Sequence, residues 1–161
     1  MRTVEAGGRG MTRRPSLAGV VQRLEDTGYR VTAPRLKVLA EIADAGDQFT
    51  AEAVTARLPG VGRATVFRTL KLLVEMDVLC RVLSGDGTLR YRWSYAGHHH
   101  HLVCAECGAV EDFTVCDVTD LLRELTKIKH FTVEGHWLEV YGRCQRCAAL
   151  TPPSSAGMAT S

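Results

Sequence analysis

The sequence predicts an α+β chain, an N-terminal winged helix-turn-helix domain followed by a small α/β domain that carries a four-cysteine zinc site. Three observations predict it. Four short amphipathic segments run into two alternating stretches joined by Ser84-Gly85-Asp86-Gly87, a hairpin signal. Two Cys-x2-Cys pairs, Cys104/Cys107 and Cys144/Cys147, have the spacing of a tetrahedral, all-thiolate zinc site, which leaves no open coordination position. Four consecutive histidines, His98 to His101, precede the first pair and remain available for a second, exchangeable metal. A chain that separates a permanent metal from a removable one reads as a sensor rather than a catalyst.

The elements follow in order. Leu17, Val20, Val21 and Leu24 recur at helical spacing, and Gly28 closes that helix. Thr32 caps a second helix with Pro34 in its first turn, and Leu36, Leu39, Ala40 and Ala43 are its expected buried stripe. Thr50 opens a short third helix with Val54 and Leu58 inward, stopped by Pro59-Gly60. A fourth helix spans about Arg63 to Met76, with Val66, Leu70, Leu73 and Val74 on its apolar side. Strands are expected at Val78–Leu83, Leu89–Ser94, His100–Cys104 and Val110–Val115, then an amphipathic helix from Asp117 through Leu121, Leu122, Leu125 and Ile128. Phe131 to Tyr141 alternates like a last strand that leads into the second cysteine pair. The expected organisation is a disordered basic arm at 1–15, a winged-helix domain at 16–94, a hinge at 95–97, a dimerisation and metal-binding domain at 98–150, and a disordered tail at 151–161.

Composition bounds the function. The chain has 161 residues, a net charge of +2 and few aromatic residues, so its cores are mostly Leu, Val and Ala. Small cores need a metal or a partner chain, and a homodimer is expected, with unpaired strand edges inviting contact across a two-fold axis. No apolar run is long enough to span a membrane, and Met1 to Pro15 lacks the apolar core of a secretory signal, so a reducing cytoplasm is expected for the six cysteines. Residues 1–93 carry 15 Lys and Arg against 10 Asp and Glu, whereas residues 94–161 carry 5 against 8. Positive charge therefore gathers in the half without the cysteine pairs, as a phosphate-binding footprint or a solvated surface.

The fourth helix is the candidate for a DNA major groove. Its polar face collects Arg63, Ala64, Phe67, Arg68 and Lys71. A solvent-facing phenylalanine beside basic residues suits apolar contact with thymine methyls and Arg contact with a base or phosphate. The bland alternative packs Phe67 on the wing and engages Arg68 in a local ion pair. Among the histidines, strand alternation separates His98 and His100 from His99 and His101, so the run seeds two sites. His136 could meet His98 and His100. Cys80, at the start of the wing, is a tentative partner for His99 and His101, against its reading as a small buried hydrophobe. Cys116, beside Asp117, is a weaker candidate for the His98/His100/His136 set. His130 is better explained by a helix C-terminus.

These residues resemble the ferric uptake regulator (Fur) superfamily over nearly all of residues 16–150. The resemblance is carried by Gly28-Tyr29-Arg30-Val31-Thr32-Ala33-Pro34-Arg35, Ala64-Thr65-Val66-Phe67-Arg68-Thr69-Leu70, and His98 to Gly108, with His136 and the second cysteine pair beyond. It implies a homodimeric, metal-dependent repressor with zinc or iron as co-repressor, bound to operator DNA that is A·T-rich and palindromic, and not an enzyme. It implies structural Zn2+ on Cys104, Cys107, Cys144 and Cys147, and regulatory Zn2+ or Fe2+ at a hinge site on His99 and His101 and a second site on His98, His100 and His136. Arg68 then falls in the major groove and Arg30 matches a minor-groove contact, which makes Arg30, Arg63, Thr65, Phe67, Arg68 and Lys71 the DNA-binding set.

Departures bear on the metal. Phe67 stands where the family usually has tyrosine. Gln48 and Arg92 replace the histidine and glutamate of iron-type members, Cys80 stands where zinc-type members place an aspartate, and Ser94 replaces their cysteine. The carboxylate that often completes the second site is Thr119, so Asp117 or Cys116 has to substitute. The pattern leans toward zinc. A peroxide-responsive, iron-containing repressor is the alternative, with Asp112 near the relevant place and Cys80 arguing against it. A zinc-dependent hydrolase or deaminase lacks its motif, since no His-x-Glu or Pro-Cys-x-x-Cys is present and neither Glu111 nor Glu139 is linked to the histidines. A metal-storage protein leaves the Phe67/Arg68 helix unexplained.

Overall fold

A computed structural model describes residues 14–94, 98–116 and 118–150. The expected hinge at 95–97, Asp117, the tail at 151–161 and all but the last two residues of the basic arm lie outside the described residues. The chain divides into two compact units, Met1–Leu83 with Leu89–Gly97, and Ser84–Thr88 with His98–Ser161.

The first unit begins with α1 (Leu17–Asp26), whose N-cap Ser16 hydroxyl accepts the Gly19 amide at 3.1 Å. Its end needs a left-handed residue, and Gly28 supplies one at φ +82°. Thr32 and Thr50 cap α2 (Ala33–Asp44) and α3 (Ala51–Arg57) in the same way as Ser16. Helix α4 (Arg63–Glu75) has no side-chain cap and closes through Asp77 at φ +52°. Strands β1 (Gln48–Phe49), β2 (Leu79–Leu83) and β3 (Leu89–Trp93) form an antiparallel sheet in the order β1-β3-β2. The two-residue β1, which the sequence did not announce, pairs Gln48 with Arg92 and Phe49 with Tyr91.

A single core joins these elements, from Val20 and Leu24 through Val38, Leu39 and Ile42 to Val66, Leu70, Leu73, Leu79 and Trp93. The face of α2 differs from expectation. Leu36 is exposed and Ala40 and Ala43 are half-buried, while Val38, Leu39 and Ile42 are fully inside. Both stripes satisfy a 3.6-residue period; the one with Val38 and Ile42 wins because it removes more apolar surface from water than two alanines.

The second unit is a three-stranded sheet, β4 (His100–Cys104), β5 (Val110–Phe113) and β6 (Glu139–Gly142), in the order β5-β4-β6. Strand β4 runs antiparallel to β5 and parallel to β6. Helix α5 (Thr119–Lys129) ends at His130, in the left-handed conformation at φ +50°, and α6 (Gln145–Leu150) follows the sheet. The expected strand over 131–141 is corrected: residues 131–138 are irregular, only Glu139–Gly142 pairs, and His136 lies before the strand rather than in it. Alternation there produced no ladder, because the sheet register engages β6 only from the partner of His101 onward.

Candidate metal centres and nucleic-acid interface

The parallel register places Gly142 opposite Cys104, so the chain two residues later delivers Cys144 to the first cysteine pair. Gly108, at φ +70°, turns the chain after Cys107, and its amide donates to the Cys104 carbonyl at 2.9 Å. The four sulfurs of Cys104, Cys107, Cys144 and Cys147 lie within 4.8 Å of one another, with Cys107 and Cys144 at 3.7 Å. A zinc tetrathiolate has sulfur–sulfur edges of about 3.8 Å for bonds of about 2.3 Å, so the donor set fits Zn2+. The Cys144 amide donates to Cys104 Sγ at 3.3 Å, and such backbone donors pull the Cys104 thiol down to about 6. The Ala109 amide lowers Cys107, whereas Cys147, sharing hydrogen bonds with the Cys107 and Cys144 sulfurs, is pushed up to about 12. Neighbouring thiolates repel one another, so Cys147 keeps its proton until a cation replaces it. Arg146 extends Nη2 to 3.9 Å from Cys107 Sγ and offsets part of the negative charge.

The histidine run separates into two sets. His98 and His100 meet through their Nε2 atoms at 3.0 Å. The ring of His136 lies 4.7 Å from that of His98 and 5.2 Å from that of His100. Cys116, in the loop after β5, reaches His136 Nε2 at 3.2 Å, and these four donors all fall within 4.8 Å of one another. His100 is 1% exposed, and its Nδ1 has no hydrogen-bond partner among the described residues. Burial first, then the adjacent rings of His98 and His136, push its pKa down, which keeps a neutral imidazole with a lone pair to give. On the other side of the run, the His99 and His101 rings stand 5.1 Å apart. Cross-strand pairing sets Asp112 opposite His101, with Oδ1 3.6 Å from Nε2. Cys80 belongs to the first unit, where it is buried in β2 with its thiol 3.7 Å from the Arg92 carbonyl.

The expected DNA-binding residues are distributed as follows. Arg63, Arg68 and Lys71 are exposed on α4, and Thr65 is half-buried. Phe67 is corrected from solvent-facing to half-buried: it packs against the core edge, and the Arg63 guanidinium covers its ring at 4.7 Å. A groove of about 370 Å³ beside α4 is lined by Phe67, Arg68, Lys71, Val74, Glu75, Arg81 and Tyr91. Arg81 and Tyr91 were missed in the sequence. Outward alternation along β2 is the signal that points to Arg81, whereas Tyr91 is brought there only by the β2–β3 register. Arg30 is exposed between α1 and α2, its carbonyl accepting from Arg35 Nη1. The ion pairs of Arg63 to Glu52 at 3.4 Å and of Lys71 to Glu75 at 3.7 Å are solvent-exposed, so anionic groups can replace them at little cost.

Helices followed by a wing, together with a unit that gathers cysteines and histidines into separate clusters, define a metal-responsive DNA-binding regulator. Residues 26–141 match the model of the Ferric uptake regulator family. The Ferric uptake regulation protein of Bacillus subtilis (strain 168) is 36% identical over 138 residues, covering 80% of this chain and 91% of that protein. The Peroxide operon regulator of the same strain is 27% identical over 136 residues, covering 82% and 93%. Among solved structures, the Vibrio cholerae ferric uptake regulator has a TM-score of 0.51 at 31% identity, covering 76% of this chain and 98% of that one. A zinc uptake regulator complexed with zinc and DNA shares the fold with a TM-score of 0.64 at 22% identity, covering 83% and 93%. The chain belongs to the ferric uptake regulator family and is a metal-responsive transcriptional repressor. Members of the family are transcription regulators, and its named relatives span more than one signal, so the metal is not decided by membership.

Proposed function

We propose that this repressor is a cytoplasmic homodimer that binds A·T-rich, palindromic operator DNA when a regulatory metal ion, zinc or iron, occupies its histidine sites. Structural zinc belongs to Cys104, Cys107, Cys144 and Cys147, and the regulatory ion to His98, His100 and His136, with His99 and His101 as a second set. The carrying observation is that one small unit holds a closed sulfur cluster and, apart from it, imidazoles converging on a common point. A bound cation supplies the positive charge that lets these lone pairs face one another. The residues do the rest. His98 and His99 directly follow the expected hinge at 95–97, so fixing their rings orders the chain where it leaves the recognition-helix unit. That ordering then need not occur on DNA, and by linkage DNA must tighten metal binding by the same factor.

Dimerisation is supported by α5, where Leu121 and Ile128 are 59% and 64% exposed on one amphipathic helix, and by the open edges of β5 and β6. The DNA reading rests on Arg68, Lys71 and Arg81 around one groove, with Arg30, Arg63, Thr65 and Phe67 completing the proposed contacts. Among the described residues no helix is long and apolar enough to cross a membrane. Cys80 is carried as a regulatory ligand on its chemistry alone, and an unaltered metal response in Cys80→Ser assigns it to packing.

The test is a metal titration of DNA affinity. His98→Ala/His136→Ala and His99→Ala/His101→Ala are expected to lose the metal-dependent part of DNA binding while keeping one zinc per chain. A full metal response in both double variants overturns the assignment. A second reading, an iron-containing peroxide-responsive repressor, is favoured by Asp112 beside His101, a nitrogen and oxygen pairing that suits Fe2+. It requires that peroxide abolish DNA binding only in the iron-loaded protein.

A further inference from the structure

The second histidine set has a fourth member that changes its chemistry. Cys116 follows β5 and precedes α5, and the loop turns its sulfur to 3.2 Å from His136 Nε2 while His98 and His100 meet at 3.0 Å. A tetrahedral ion with three nitrogens at about 2.05 Å and one sulfur at about 2.3 Å has edges of about 3.3 Å and 3.5 Å. The observed spacings approach these values, and no carboxylate joins the cluster among the described residues. Thr119, at the start of α5, offers only an exposed hydroxyl.

The competing account is a packed imidazole cluster with a thiol hydrogen bond. Neutral imidazole carries one donor and one acceptor, and a packed cluster would employ both. Here His98 Nε2, His100 Nε2, His136 Nε2 and the Cys116 sulfur converge on one place, all four donors within 4.8 Å of one another. That convergence of lone pairs suits an ion at the centre.

We propose that the Cys116 thiolate is the fourth ligand of the His98/His100/His136 set, forming a three-nitrogen, one-sulfur site that accepts Zn2+ and Co2+ and discriminates against Mn2+. The inference rests on the reading that these histidines hold a regulatory ion. Thiolate favours borderline ions over oxygen-seeking ones, so replacing a carboxylate by sulfur shifts the site's selectivity without moving its imidazoles. On binding, the Cys116 proton leaves to solvent and the sulfur lone pair forms the new bond.

Co2+ titration of the full chain, with zinc retained in the four-cysteine site, tests this. In a Cys80→Ser background, which removes the other thiol outside the four-cysteine site, the chain is expected to develop a sulfur-to-cobalt charge-transfer band. Adding Cys116→Ser to that background is expected to abolish the band and to weaken Co2+ binding roughly tenfold or more. Cys116→Asp is expected to bind Mn2+ more tightly than the wild type does. If His98→Ala and His136→Ala leave Co2+ binding unchanged, the histidine site itself is absent and the inference falls with it. If those variants lose Co2+ while Cys116→Ser keeps the band and the affinity, the histidine site stands and the sulfur ligand is refuted. A loss of affinity in Asp117→Asn but not in Cys116→Ser refutes it equally, naming Asp117 as the fourth donor.

Discussion

The two units are held together by different forces. In the first, a continuous apolar cluster from Val20 to Trp93 excludes water, and capped helices with a paired sheet satisfy the backbone around it. In the second, the buried side chains described between residues 98 and 150 are His100, His101, Val103 and Cys104, three of them metal-binding types. No residue of helix α5 is fully buried, and only Leu122 and Thr126 among its described residues are half-buried. The first unit therefore draws its stability from hydrophobic burial, whereas the second, on the proposed reading, relies on bound ions and a partner chain. A fold whose stability depends on what it binds reports the concentration of what it binds.

The largest expected break in this contrast is Cys144→Ser. Structural zinc contributes roughly 10–16 kcal/mol in small zinc folds, so its loss should unfold the second unit and dissociate the dimer while α1 to α4 persist. Zinc content, light scattering and residual helical circular dichroism check it. A variant that keeps its dimer without zinc shows that the apolar face of α5 suffices. Leu70→Ala should do the reverse, costing the first unit about 2–5 kcal/mol in denaturant melts while zinc content stays unchanged.

Acid sharpens the comparison further. Cys104 is lowered from 9.0 to about 6, so its contribution is complete above the unfolded value and is lost as pH falls toward 6. His100 is also lowered, so the unfolded chain binds the extra proton first and stability again falls as pH drops through the ordinary histidine range near 6.5. Both signs agree: between pH 7 and 5 the second unit should release metal and DNA affinity should decline. Metal release followed with a chromogenic chelator checks the order, and a first unit that melts before metal leaves contradicts it. The smallest effect is expected for Arg14→Ala. Arg14 donates to the Ala45 carbonyl at 2.8 Å and sits 5.7 Å from the Trp93 ring, worth about 1 kcal/mol in first-unit stability.

Much of this was legible in the residues because it is local. Thr32 and Thr50 announce helix starts, Ser84 to Gly87 announces the hairpin, and Cys-x2-Cys announces a thiolate site. Each signal spans a few residues, and short-range sterics and hydrogen bonding decide it. The face of α2 was not legible, since Leu36 and Val38 satisfy the same period and only packing chooses between them. The strand before Tyr141 was overread, since alternation marks a strand only where a neighbour pairs with it.

By itself the sequence determined that helices precede a wing, that four sulfurs can share an ion, and that the histidine run faces two ways. Tertiary structure alone decided that Cys116, rather than a carboxylate among the described residues, stands with His98, His100 and His136. Those donors are up to 38 positions apart, and their meeting depends on the pairing of β5 and β6 with β4 and on the loop before α5. No local preference of the chain encodes a contact closed across a sheet, because its free energy exists only once the strands have paired.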